Sequence, residues 1–251
     1  MTEMKQTLFF DLDDTLIHCN KYFYLTIDRF VADMLVWFGA DRIDEEEVRA
    51  KHMELDIAGI HALGFQSDRF PQSFIETYRH YAELTGRRTS AREEDRLWRL
   101  GRSVYDHEAE PYPHMAETLD ALARAGHELH LYTGGEPLIQ HRKIARLGLE
   151  RYFESRIYVR QHKNVDALEH ILTAGGQDRD HTWMIGNSIR TDVVPALTAG
   201  IHAIHMKTDA EWIYNLIDIE IEPRGAFLTL RQLAEVPDAI TGYVSGAQRS
   251  S

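Results

Sequence analysis

The chain has 251 residues, of which 43% are hydrophobic and 27% are charged, a composition that is typical of a globular protein and excludes disorder over most of its length. Lysine and arginine total 28 against 40 aspartates and glutamates, and the resulting net charge of −12 argues against nucleic acid or an anionic membrane as a partner, since both need basic patches. No apolar run approaches the length of a membrane span, the first residues do not have the form of a secretory signal, and the single cysteine, Cys19, cannot form an internal disulfide. We therefore expect a soluble cytoplasmic protein.

Five short apolar runs are typical of buried strands. They occupy residues 7–11, 127–132, 156–160, 181–185 and 201–206. Helical patterns that each end at a glycine precede or separate the later runs, at residues 113–125, 137–147, 165–174 and 192–199. Alternating strands and helices predict an α/β fold, with a parallel sheet covered by helices on both faces.

Residues 22–106 have no convincing strand and carry apolar side chains every three or four residues, which predicts amphipathic helices. The stripes are Phe23, Ile27, Phe30, Met34 and Phe38, then Phe74, Tyr78 and Tyr81, then Leu97, Leu100 and Val104. We interpret them as core packing within a separate helical domain. This domain is inserted between two parts of the core, residues 1–21 and 107–240. The Gly/Ser-rich residues 241–251 predict a flexible tail.

Three aspartates, Asp11, Asp13 and Asp14, come directly after the first predicted strand and are followed by Thr15. Open α/β sheets bind ligands at the carboxyl ends of their strands. Carboxylates this close together repel one another unless a cation or a site for phosphate chemistry holds them, and Mg²⁺ is the natural occupant. A solvated turn with helix-capping aspartates is the alternative interpretation.

Polar residues also follow the later predicted strands. Thr133 and Gly134 precede a predicted helix, and a glycine-rich turn at a helix N-terminus offers backbone N–H groups to an anion. Lys163 follows the third strand, where its ammonium group could offset phosphate and carboxylate charge. Asn187 and Asp192 follow the fourth strand and carry two more oxygen ligands. Taken singly, the turn at Thr133 and Gly134 is also compatible with an ordinary helix start, and Lys163 is compatible with a surface lysine.

The ordered set of four elements resembles the motifs of the haloacid dehalogenase superfamily. The first element matches the DxDxT signature, the second the strand-end Thr/Ser, and the third the lysine. The fourth matches GDxxxxD, with Asn187 in place of the first Asp. The resemblance covers residues 6–20 and 110–206. It implies a three-layer Rossmann-like core with strand order 5-4-1-2-3, and a cap domain formed by the helical insertion.

The resemblance also implies a role for each site residue. Asp11 is expected to be the nucleophile, and Asp13 the acid that protonates the leaving group and then the base for the hydrolytic water. Thr133 and the N–H of Gly134 are expected to hold a phosphoryl oxygen. Lys163 is expected to steady both Asp11 and the transferring group.

A Mg²⁺ cofactor is the further implication, held by Asp11, by the main-chain carbonyl of Asp13 and by a third ligand from the fourth motif. The sequence leaves open whether Asn187 or Asp192 is that direct ligand. Both are therefore candidates, Asn187 through its amide oxygen and Asp192 through a carboxylate that would supply the missing charge.

The expected function is a Mg²⁺-dependent phosphatase acting on a small phosphorylated metabolite. Asp13 argues against dehalogenation, because the dehalogenases of this superfamily lack the second aspartate. A phosphomutase of the same superfamily and a catalytically silent binding module remain alternatives. The sequence does not identify the substrate, and it is compatible with either a monomer or a homodimer.

Overall fold

The computed structural model describes residues 4–209 and 211–250, with the side chains of residues 4–209 and 211–246. The strands are β1 (Thr7–Phe10), β2 (Ile17–His18), β3 (Glu110–Pro111), β4 (Glu128–Gly134), β5 (Ile157–Arg160), β6 (Thr182–Gly186), β7 (His202–Met206) and β8 (Phe227–Leu230). The α-helices are α1 (Asn20–Phe38), α2 (Glu45–Leu63), α3 (Arg69–Thr85), α4 (Ala91–Arg102), α5 (Met115–Arg124), α6 (Pro137–Arg146), α7 (Glu150–Phe153), α8 (Val165–Ala174), α9 (Val194–Thr198) and α10 (Val236–Ser250).

Six strands form one parallel sheet in the order β5-β4-β1-β6-β7-β8. The five strands expected from the sequence lie in the expected order, and the α/β fold class is confirmed. The detail that differs is β8, which extends the sheet beyond β7. This strand is short and only half-buried at the sheet edge, so its apolar pattern gives little periodicity from which to predict it.

Successive side chains of a strand point to opposite faces of the sheet, so a strand that is apolar throughout needs cover on both faces. Helices provide this cover. Leu8 and Phe10 of β1 pack into a cluster with α5 and α10, whereas Phe9 between them packs into a second cluster with α8 and α9. The three side chains are fully buried. The core is therefore a three-layer α/β/α arrangement, with β1 at its centre.

The C-terminal segment differs from the expected flexible tail, because residues 236–250 form the helix α10. Val236, Ile240 and Val244 recur every four residues along it and pack into the same cluster as β1. Tyr243 lies edge-on to the ring of Trp183, with 5.1 Å between ring centroids. Burial of this apolar stripe outweighs the low helix propensity of the local glycine and serine residues.

The chain separates into two compact units, one formed by Met1–Asn20 with Ala109–Ser251 and the other by Lys21–Glu108. The first unit contains the sheet. The second contains helices α2 to α4 and most of α1. Among the described helices, none combines the length and apolar character that crossing a membrane requires.

The helical unit has its own core, made largely from the aromatic stripes. Phe30 of α1 stacks on Phe74 of α3 with 4.2 Å between ring centroids, and the other stripe residues belong to the same cluster. The interpretation of the stripes as core packing is confirmed. Asp44 caps α2 by accepting hydrogen bonds from the backbone N–H groups of Glu46 and Glu47.

One buried carboxyl group in this unit makes stability depend on pH. Asp56 of α2 is 8% exposed, and burial raises its pKa to about 7, although the nearby Arg69 opposes the shift. The folded state therefore prefers the protonated form. Stability is lost as the pH rises from the unfolded value near 4 through 7.

Asp56→Asn should therefore be more stable than the wild type at pH 8, by on the order of 2 kcal/mol, and this advantage should shrink towards pH 4.5. Urea unfolding at both pH values measures the difference. Glu54→Gln, on the exposed side of the same helix, is the control and should show no such gain. An Asp56→Asn advantage that does not change with pH would contradict the electrostatic explanation.

Candidate active site

The candidate site lies where parallel strands end together. β1 runs between β4 and β6, so the residues that follow these three strands meet at one edge of the sheet. Asp11 is held directly beyond β1 by a hydrogen bond from its backbone N–H to the carbonyl of Ile185, at 2.9 Å. Thr133 stands near the end of β4, and Asn187 follows β6.

A buried ion cluster occupies this edge. The Nζ of Lys163 is 2.6 Å from Oδ1 of Asp11 and also contacts the carboxylate of Asp192. The three residues are at most 6% exposed. Two carboxylates therefore share one ammonium group, and the cluster carries a net charge of −1 when both acids are ionised.

The electrostatics of the cluster follow from burial and from this unequal charge. Burial raises the pKa of Asp11 above its usual range; Lys163 opposes this shift and Asp192 adds to it. Burial by itself would lower the pKa of Lys163, but the two carboxylates hold it above its usual range. Lys163 is thus cationic, and one unit of negative charge remains without a partner whenever both acids are ionised.

Thr15 links the first motif to the fourth. Its hydroxyl donates to Oδ2 of Asp11 at 3.1 Å and accepts from the backbone N–H of Asn187 at 3.0 Å. Oδ1 of Asn187 lies 3.5 Å from the same hydroxyl oxygen. The side-chain oxygens of Asp11 and Asn187 therefore approach one point. His205 of β7 further fixes Asn187, since its Nε2 lies 3.0 Å from the Asn187 main-chain carbonyl.

The three adjacent aspartates of the first motif have separate partners. Asp14 does not join the cluster, because its buried carboxylate accepts hydrogen bonds from the backbone N–H groups of Cys19 and Asn20 at the start of α1. Asp13 instead accepts from Lys143 and Gln140. The helix-capping interpretation thus holds for Asp14, and each of the three carboxylates has its own hydrogen-bonding partners.

Asp192 reaches the cluster through an unusual local backbone. Residues Ile189–Val193 form a π-helical turn that overlaps only the first two residues of the helix predicted over residues 192–199. The backbone N–H of Ser188 donates to Oδ2 of Asp192 at 2.9 Å. A Cβ atom on Gly186 would overlap this carboxylate. The glycine at the end of β6 is therefore required by the close approach of Asp192.

The sequence did not identify Gln140 and Lys143, which lie on α6. Gln140 donates to Thr133 Oγ1 at 2.7 Å and to Asp13 Oδ2 at 2.9 Å, and the Nζ of Lys143 lies within 2.9 Å of both Asp13 oxygens. Their spacing of three residues places both on one face of a helix. That spacing is equally typical of an ordinary solvated face, so no local signal distinguishes them.

The donor chemistry fits a hard divalent cation. Among the described residues there is no group of three or more His, Cys, Asp and Glu side chains arranged to hold a metal. The candidate ligands at the sheet edge are instead mixed: the Asp11 carboxylate and the Asn187 amide oxygen, which meet at Thr15. Oxygen ligands of this type suit Mg²⁺, and a cation would offset the unpaired negative charge of the cluster.

Fold and site together define a three-layer α/β protein with an anionic cluster at the carboxyl edge of its parallel sheet. The chain belongs to the haloacid dehalogenase-like hydrolases, since the model of that hydrolase family matches residues 5–200. The resemblance inferred from the four motifs is confirmed by this match.

Two curated relatives have phosphatase names. The glyceraldehyde 3-phosphate phosphatase of Methanothermobacter thermautotrophicus is 25% identical over 214 residues, covering 82% of this chain and 87% of the relative. The phosphoglycolate phosphatase of Agrobacterium fabrum is 34% identical over 102 residues, covering 39% of this chain and 43% of the relative.

Solved structures agree over nearly the whole chain. A haloacid dehalogenase-like hydrolase from Xanthomonas campestris has a TM-score of 0.78 and 26% identity, covering 98% of this chain and 95% of that one. A magnesium-bound hydrolase of the same type from Bacillus subtilis has a TM-score of 0.66 and 18% identity, covering 94% and 98%, and it supports the fold alone.

Gly186→Ala should displace Asp192 from Lys163 and lower the free energy of unfolding by about 1–3 kcal/mol, because the added methyl group has no room beside the carboxylate. Thermal or urea unfolding measures the loss. Gly242→Ala, in open space on α10, is the matched control and should leave stability unchanged or slightly higher. Equal stability of Gly186→Ala and wild type would show that the Asp192 contact does not depend on this glycine.

Proposed function

We propose that this hydrolase is a Mg²⁺-dependent phosphatase of a small phosphorylated metabolite and that it acts through an aspartyl-phosphate at Asp11. The observation that carries the proposal is the buried cluster in which Lys163 contacts both Asp11 and Asp192. The phosphatase names of two relatives support the reaction class. A carboxylate held beside an ammonium group at a sheet edge is suited to attack a phosphoryl group.

In this proposal, Mg²⁺ would be held by the Asp11 carboxylate, the Asn187 amide oxygen and the main-chain carbonyl of Asp13. When bound, the cation neutralises charge on the phosphoryl oxygens. Asn187 is preferred over Asp192 as the direct ligand because it shares the Thr15 hydroxyl with Asp11. Asp192 would act through its contact with Lys163.

In the first step, which requires Asp13 to carry a proton, an Asp11 oxygen attacks phosphorus while the ester P–O bond breaks, and the departing alkoxide takes that proton. The Thr133 hydroxyl and the Gly134 N–H would hold phosphoryl oxygens. The Lys163 ammonium would offset the charge that develops on the transferring group.

In the second step, water attacks the phosphorus of the aspartyl-phosphate and gives a proton to Asp13. The bond between phosphorus and the Asp11 oxygen breaks, inorganic phosphate leaves, and both aspartates return to their starting forms. Asp13 therefore has to serve as acid in one step and as base in the next.

The helical unit Lys21–Glu108 would be the cap domain of this enzyme, with a part in selecting the substrate. Its position in the chain supports this assignment, because it is inserted directly after the first motif. The same assignment explains why the motifs of the core indicate the reaction but leave the metabolite unidentified.

Asp11→Asn should reduce phosphate release from p-nitrophenyl phosphate by at least about 1,000-fold, because an amide keeps the shape of the side chain but is no nucleophile. Wild-type activity should also disappear when EDTA removes divalent cations and return with Mg²⁺. The control Asp166→Asn changes an exposed carboxylate on α8 and should retain activity.

Full activity of Asp11→Asn would reject the nucleophile assignment. A wild-type protein that releases no phosphate from a panel of phosphorylated metabolites would favour the binding-module alternative. Intramolecular return of the phosphoryl group to a sugar phosphate, detected by product analysis, would favour the phosphomutase.

Asn187→Asp should lower the Mg²⁺ concentration needed for half-maximal activity by about 3- to 10-fold, since it adds a second negative charge to a cluster that already has an excess. Calorimetric titration with Mg²⁺ alone provides a readout independent of turnover. Asn187→Ala should weaken binding in the same titration. If neither variant changes Mg²⁺ affinity, Asn187 lies outside the coordination sphere.

A further inference from the structure

Helix α6 presents two polar side chains, one turn apart, to the first two site elements. Gln140 is 2% exposed. Its side-chain Nε2 donates two hydrogen bonds, one to Thr133 Oγ1 at 2.7 Å and one to Asp13 Oδ2 at 2.9 Å. A buried amide whose donors are both used is held in one orientation. Gln140 thus connects the strand-end threonine to the second aspartate.

The hydrogen bond from Gln140 also sets the polarity of the Thr133 hydroxyl. Because this oxygen accepts from the amide, its own proton is left to be donated elsewhere. In the structure this proton is directed to the carbonyl of Gly134 at 3.4 Å, which is a weak contact. The hydroxyl is therefore prepared to donate to a phosphoryl oxygen.

Lys143 holds the other side of the Asp13 carboxylate. Its Nζ lies 2.8 Å from Oδ1 and 2.9 Å from Oδ2. Lys143 therefore contacts both oxygens of Asp13, and Gln140 contacts Oδ2 as well. The side chains of Lys143 and Asp13 are 21% and 26% exposed, so the pair is largely removed from water. A charge-assisted contact of this type fixes the rotamer of the carboxylate.

The turn before α6 is built around Gln140. Gly135 has a φ of +133°, a region that residues with a Cβ rarely adopt, and a Cβ there would lie 3.2 Å from Cγ and Cδ of Gln140. The turn thus brings the glutamine side chain against the backbone that follows Thr133. This close approach is an independent sign that the position of Gln140 is specified by the fold.

From this geometry we infer that Gln140 and Lys143 are positioning residues for the reaction: Lys143 holds the Asp13 carboxylate in place, and Gln140 aligns it with the Thr133 hydroxyl. The inference rests on the proposed phosphatase function. It assigns no contact with the substrate to either residue. Their effect on turnover would pass through Asp13 and Thr133.

The test compares Lys143→Met and Gln140→Leu with Arg146→Met, which removes an exposed charge one turn further along α6. Rates are measured on p-nitrophenyl phosphate, whose leaving group needs no proton, and on an alkyl phosphate, whose leaving group does. Lys143→Met should lower kcat about 10-fold on the aryl ester and about 100-fold on the alkyl ester, with KM changed less than threefold. Gln140→Leu should lower kcat and also raise KM, because it affects the phosphate-binding Thr133.

Two further measurements separate positioning from a structural role. Lys143→Arg, which keeps the charge and the donors, should recover a large part of the alkyl phosphate activity. Adding Lys143→Met to Asp13→Asn should cause little further loss, because both changes remove the same function. The melting temperatures of all variants establish that each is folded. If Lys143→Met does not fold, Gln140→Leu decides, and wild-type kcat and KM in Gln140→Leu would overturn the inference.

The inference is overturned if Lys143→Met matches Arg146→Met on both substrates, if its losses on the two esters are equal, or if they add fully to those of Asp13→Asn. Each of these outcomes leaves an active wild-type enzyme that depends on Asp11, so the proposed function would stand. A wild type without phosphatase activity would instead overturn the proposed function and this inference with it.

Discussion

The contact of one ammonium group with two buried carboxylates is the constraint on which the site depends. Lys163, Asp11 and Asp192 come from three separate segments, which follow β5, β1 and β6, and their ion pairs join those segments at the edge of the sheet. Burying charges is costly unless they are paired, so the position of each member is restricted by the other two. The same arrangement leaves one negative charge uncompensated, and this excess is the physical basis for expecting a cation beside Asp11.

Backbone features around the cluster follow from the need to bring these side chains together. The π-helical turn Ile189–Val193 and the absence of a side chain at Gly186 allow the Asp192 carboxylate to approach Lys163. The Thr15 hydroxyl occupies the space between Asp11 and Asn187 and bonds to both residues. The fourth motif, in which an asparagine replaces a carboxylate, is therefore connected to the first by direct hydrogen bonds.

The other two aspartates of the first motif, Asp13 and Asp14, have different partners. Asp14 satisfies backbone N–H groups at the beginning of α1, a structural task. Asp13 faces α6 and is held by Gln140 and Lys143. Neighbouring aspartates thus have different roles because their side chains meet different partners, one in the local backbone and one on a distant helix.

The sequence by itself determined the features whose signals are local. Strand and helix periodicity, together with glycines at helix ends, predicted the α/β core, and the residues placed directly after each strand predicted Asp11, Thr133, Lys163 and Asn187 as neighbours. Asp11 does meet Lys163 and, through Thr15, Asn187, because parallel strands bring their carboxyl ends to one edge of the sheet.

Only the tertiary structure decided the rest. Lys143 and Gln140 are separated from Asp13 by about 130 residues, and nothing in their local spacing indicates that contact. The edge strand β8 and the helix α10 were likewise missed; α10 is stabilised by burying Val236, Ile240 and Val244 against the sheet, which outweighs its local composition. Contacts between distant segments depend on how the helices and strands pack. A local sequence pattern does not indicate which distant residue a side chain will contact.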